Sequence, residues 1–155
     1  MTPPLATPAA PAFESVTLLS PTAALPSLAG APFTLLLWDH SAAFDAAARA
    51  RVARAVLDAG CAYAVCGGHA CEAWHDAIDE ELVARELATP QDAPAPPLVP
   101  TTWHAGEPPE EVAFFFMRCV AIDDAPPARR VVLHLGTSPA ARTLEDALRD
   151  LARDG

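Results

Sequence analysis

The sequence predicts a three-layer α/β sandwich with a mostly parallel sheet of about four strands, wound in a Rossmann-like or a flavodoxin-like order. Three observations carry that prediction. Short, continuous apolar runs such as residues 33–38 (FTLLLW) have the pattern of strands covered on both faces. Segments with apolar residues at helical spacing alternate with these runs. An order β-α-β-α-β-α-β-α then calls for a parallel sheet with right-handed crossovers. At 155 residues the chain suits one domain, able to bury about 70% of its unfolded surface.

Residues 1–30 read as a Pro/Ala-rich arm, partly disordered at its start, and residues 31–155 as the single α/β domain. Within the arm, residues 13–19 have the character of a short edge strand or of a segment lying on the domain. The first central strand is 33–38. A helix is expected after it, with Ser41 as N-cap, Gly60 just past its end, and a stripe of Phe44, Ala48, Val52, Ala55 and Ala59. Residues 61–66 form the second strand, closed by Gly67 and Gly68, and a helix over 69–87 presents Cys71, Trp74, Ile78 and Leu82. A proline-rich linker leads to the third strand at 98–103. Pro100 cannot donate to a ladder, so this strand belongs at an edge or begins after the proline. Pro108 and Pro109 followed by Glu110 and Glu111 mark a helix start. Residues 130–135 are the fourth strand, and an amphipathic helix with Leu144, Leu148 and Leu151 is expected to open at Thr143.

Composition excludes several chemistries. All ten basic residues are Arg, and neither Lys nor Asn occurs. The chain therefore supplies no P-loop lysine, no pyridoxal Schiff base, no glycosylation sequon and no Cys-His-Asn triad. A net charge of −10 disfavours nucleic acid and anionic membrane as partners. The first thirty residues lack a positive n-region, and no apolar stretch is long enough to span a bilayer. The four cysteines, at 61, 66, 71 and 119, lack C-x2-C spacing and read as reduced, mostly buried thiols. The expected setting is the cytoplasm.

All five histidines fall at or just beyond the carboxyl end of a predicted strand: His40, His69, His75, His104 and His134. If the strands are parallel, these ends meet at the edge where open α/β sheets bind ligands. Candidate ligand-binding residues there are His40, Gly67, Gly68, His69, His104 and Thr137. Each also has a plainer role. Asp39 and Ser41 suit helix capping, and Gly67-Gly68 suits a sharp turn. As a phosphate cradle the glycine pair matches no motif, and Glu72 and Asp76 follow it. His69, Cys71 and His75 match no closed ligand set, so neither metal nor cofactor is expected. Cys66, near a helix start, is a candidate nucleophile with His75 as base and Asp39 as orienting acid. The plainer reading makes Cys66 a buried strand residue.

The helix near 110–122 is apolar nearly all round. Phe114 and Met117 on its outer side predict a cover, either the N-terminal arm or a partner chain such as a second copy. The function expected is a small acidic cytoplasmic binding or accessory domain, acting on a protein partner or on a small ligand at the carboxyl edge. A small hydrolase or transferase using Cys66 or a bound metal is the alternative. A nucleotide-binding fold that has lost its phosphate grip is a further one.

Overall fold

The computed structural model describes residues 2–5 and 11–155. Met1 and residues 6–10, part of the segment expected to be disordered, lie outside the described residues. Five strands form one sheet, β1 (Glu14–Leu18), β2 (Phe33–Asp39), β3 (Cys61–Gly68), β4 (Thr101–Trp103) and β5 (Arg130–Leu135), ordered β1-β5-β2-β3-β4. Every pairing is parallel. Four helices connect and cover them: α1 (Ala46–Ala59), α2 (Cys71–Ala88), α3 (Pro109–Phe114) and α4 (Pro139–Arg153). The result is the three-layer α/β sandwich predicted, with one more strand than the four central runs suggested.

Counted from β2, the order across the sheet is third, second, first, fourth, which is the Rossmann-like winding. The chain moves outward through β3 and β4, then returns across the sheet to place β5 on the other side of β2. The order reverses between β2 and β5. Beyond β5, at the edge, β1 pairs with it from Glu14↔Val131 to Leu18↔Leu135, so the edge-strand reading of residues 13–19 is the correct one.

Two apolar layers sandwich the sheet. On one face Leu35, Leu37, Leu133 and Cys66 pack with Val52 and Val56 of α1 and with Trp74 and Ile78 of α2. On the other, Leu36, Val65 and Val132 pack with Val112, Phe116 and Met117 and with Leu144 and Leu148 of α4. Alternate residues of β2 and β5 thus serve opposite faces, and their apolar runs are continuous because both faces are covered.

Three helix starts differ from expectation, each for a local reason. Ser41 does not cap α1. The Asp39 carboxylate accepts the amides of Ser41 and Ala42, and Ala42 adopts a left-handed conformation, φ 55°, which no helix continues through. Asp45 caps α1 instead, accepting from the amide of Ala48 at 2.9 Å. Gly60 sits just past the helix in the left-handed region, as predicted. The second helix begins at Cys71 rather than 69, because the His69 amide is drawn to the Asp39 carbonyl and Ala70 is left-handed. The last helix opens a turn before Thr143, with Ser138 at the N-cap position and Pro139 in the first turn, where its missing N–H costs nothing. β4 starts after Pro100, whose carbonyl accepts from Ala64.

The helix starting at Pro109 continues as a π-helical turn over Phe115–Cys119, ending before the 122 suggested by its apolar run. Met117 is buried against the sheet and α4, only 5% exposed. It is therefore not available as a partner contact, contrary to expectation. Val112, Ala113, Phe116 and Met117 share the inward face, and Phe114 lies outside it.

Candidate functional site

At the reversal point the ends of β2 and β5 run side by side, Asp39 opposite Leu135. Gly136 follows β5 with φ +76°, and a Cβ there would stand 2.6 Å from the Ser41 side chain. Only glycine lets the β5–α4 turn pass so close to the β2–α1 turn. That approach brings four polar residues together. Ser138 Oγ lies 2.6 Å from His40 Nδ1, His40 Nε2 lies 2.9 Å from His134 Nδ1, and His134 Nε2 lies 2.8 Å from Glu145 Oε1. The two imidazoles are nearly parallel, 5.2 Å between centroids. The Ser15 hydroxyl of β1 donates to the same Glu145 oxygen, and Arg149 flanks the carboxylate.

The chain of contacts has a direction. An ionised Glu145 only accepts, so His134 carries its proton on Nε2. With His134 neutral, its bare Nδ1 accepts from His40 Nε2–H. Burial, with the adjacent His134, lowers the His40 pKa to about 4, against a partial lift from Asp39. His40 is thus neutral near pH 7, and in the tautomer that carries its proton on Nε2 its bare Nδ1 accepts from the Ser138 hydroxyl. In that tautomer every proton points from Ser138 toward Glu145. Ser138 makes no capping bond to α4 with its side chain, because that hydroxyl is engaged by His40. The buried end of the chain is His134, while His40 and Ser138 are partly exposed and Thr137 is fully at the surface.

The other expected site residues do not join this cluster. Asp39 is 2% exposed, and both its carboxylate oxygens are occupied, one by the Ser41 and Ala42 amides and the other by Trp74 Nε1 at 3.0 Å. It secures the turns after β2 and β3. Cys66 is fully buried in β3, and burial pushes its thiol pKa far upward. Such a thiol is no nucleophile in the folded chain, which corrects the catalytic reading. A Cβ at Gly67 would meet the Trp38 ring at 2.6 Å, and one at Gly68 would meet the Asp39 carbonyl at 2.5 Å. The pair exists for this close passage of β3 over β2, not as a phosphate cradle.

His69 is exposed, and its amide donates to the Asp39 carbonyl. His75 packs against Trp103 with the rings tilted and 4.5 Å between centroids, and contacts Asp76 and Asp79. His104 bridges Thr102 and Glu107 and rests on Phe115. These last two fasten the β4 edge to α2 and α3, away from the reversal point. No group of metal-ligating side chains forms among the described residues.

Ser138, His134 and Glu145 were missed as site residues. A signal existed for His134, the one polar side chain in residues 131–135, otherwise VVL and L. A buried imidazole needs partners. Its partners were not legible, because they depend on which strand lies beside β5.

A groove of about 340 Å³ between β1 and α4 reaches the His134 and Glu145 end of the cluster, lined by Ser15, Thr17, His134, Thr137, Arg142 and Glu145 among others, with His40 and Ser138 outside its wall. A larger cleft of about 600 Å³ opens at the opposite, amino edge of the sheet, lined mainly by Leu57, Leu82, Pro96, Pro97, Leu98 and Val99. It holds no histidine, and the Cys61 thiol in its wall is pushed up to about 12 by burial. Polar chemistry is concentrated at the carboxyl edge.

Residues 15–151 match the model of a family described as a domain of unknown function, DUF7684. No curated protein and no solved structure matches the chain.

Proposed function

Since the chain belongs to the DUF7684 family, whose description assigns no activity, we propose a function from the site: the protein binds a small, uncharged organic ligand in the crevice between the ends of β2 and β5. One observation carries this reading. A connected polar chain, Ser138-His40-His134-Glu145, reaches from the buried layer to a partly exposed hydroxyl at the point where the strand order reverses. Open α/β sheets take ligands at that point. An uncharged ligand suits the crevice, since in the groove beside it Arg142 and Arg149 are answered by Glu145 and Asp146, and it suits a chain of net charge −10 that repels anions. A nucleotide fits poorly. The turn after β2 is Asp39-His40-Ser41, with no glycine, above a buried carboxylate. The protein-partner reading loses Met117 and retains only Phe114 on that helix. The cysteines are unpaired, which supports the cytoplasmic setting.

The test is amide shift mapping of the 15N-labelled protein against a panel of small neutral esters, amides and ketones. Expected are saturable shifts centred on His40, Gly136, Thr137 and Ser138. Shifts confined to the amino-edge cleft around Leu57 and Val99, or none at all, would refute the reading.

A further inference from the structure

We propose that Ser138 is a nucleophile, activated through His40 and His134 against Glu145, and that the ligand class of this crevice is small uncharged carboxylic esters, which the protein hydrolyses. The inference rests on the binding reading above and adds a reaction to it. Three features of the geometry support it. The Ser138 hydroxyl lies 2.6 Å from His40 Nδ1, and with that nitrogen bare it donates there, the relation of a nucleophile to its general base. The base is oriented by a second group, His134, which is itself held by a carboxylate. Ser138 also stands at the start of a 15-residue helix, whose first-turn amide at Ala140 has no intrahelical acceptor and can donate to a developing oxyanion.

The second histidine has a chemical purpose here. His40 alone is a weak base, since burial disfavours its charged form. If it takes the Ser138 proton on Nδ1 while passing its Nε2 proton to His134 Nδ1, it stays neutral. The positive charge then rests on His134, directly against Glu145. Ser138 Oγ bonds to the ester carbonyl carbon, and the tetrahedral intermediate collapses with cleavage of the bond from that carbon to the alkoxy oxygen. The protons return along the same path, and the leaving alkoxide takes the last one to depart as alcohol. Water then attacks the acyl-Ser138 ester with the same relay as base. The products are a carboxylic acid and free Ser138, and the balance is ester plus water to acid plus alcohol.

The test uses the full chain with p-nitrophenyl acetate, following p-nitrophenol release and mapping the acetylated peptide by mass spectrometry. Expected is a burst of up to one equivalent per chain, with acetyl on Ser138, abolished in Ser138→Ala. Glu145→Gln should slow acylation by about 10²-fold with little change in KM, and Ser138→Cys should restore a burst. Folding of each variant is checked by its melt. Release equal in wild type and Ser138→Ala, or acetyl found only on Cys119 or the N-terminus, would overturn the proposal. Shift mapping with acetanilide, an amide too inert to acylate the protein, separates the two readings. Acetanilide binding at Ser138 without acetylation refutes catalysis and leaves the binding site standing, whereas absence of both refutes both.

Discussion

At the residue scale the site depends on the protonation of one imidazole. His40 binds a proton less readily in the fold than in the unfolded chain, at about 4 against 6.5. Between those values the unfolded state holds more protons. The His40 contribution to stability is therefore complete above about pH 6.5 and is lost as the pH falls toward 4. His40→Gln should flatten part of the acid limb of a urea-unfolding series between pH 4 and 6.5. An acid limb of unchanged slope would show that His40 titrates normally. The cysteines make a second prediction at this scale. Cys66 is sealed in β3 while Cys119 is exposed, so a thiol reagent on the native protein should modify Cys119 quickly and Cys66 only on unfolding. Rapid native labelling of Cys66 would mean that the β3 layer opens.

At the scale of elements, the site is made by two turns forced together. Gly136 combines a positive φ with a Cβ position already filled by Ser41. Gly136→Ala should cost about 1–3 kcal/mol and, by moving the β5–α4 turn, lengthen the Ser138–His40 contact. Chemical denaturation gives the first quantity and the His40 ring shifts report the second. A neutral Gly136→Ala would mean the turns have room to spare. Much at this scale was legible. The continuous apolar runs at 33–38 and 130–135 announced doubly covered strands, and Gly60 and Pro109 marked helix ends. Ser41 misled because its spacing to the stripe of Phe44, Ala48 and Val52 suited a cap, while the deciding contact, Asp39 accepting the Ser41 and Ala42 amides, leaves no periodic trace. Pro139 was the better signal for the last helix, since proline favours a first turn.

At the scale of the molecule, strand order decides which residues meet. His40, His69, His104 and His134 lie at strand ends, as the sequence indicated, yet only the return of the chain to set β5 beside β2 pairs His40 with His134. No local pattern encodes that crossover. His75 and His104, equally plausible in sequence, fall beside β4 and serve packing. The same global packing settles the outer helix. With Met117 inside and Phe114 53% exposed, Met117→Glu should destabilise severely by burying a charge. Phe114→Glu should stay within about 0.5 kcal/mol of wild type, with unchanged mass by light scattering. A Phe114→Glu variant that halves the mass of a wild-type dimer would restore the partner interface.

The directed proton chain from Ser138 to Glu145 underlies both the binding site and its proposed chemistry, and the tautomers of two rings test it. Long-range 1H–15N spectra at pH 7 should show His40 neutral with its proton on Nε2 and a bare Nδ1 facing Ser138. A protonated His134, with His40 carrying its proton on Nδ1 and donating to Ser138, would reverse the chain and contradict the assignment of Ser138 as the proton donor.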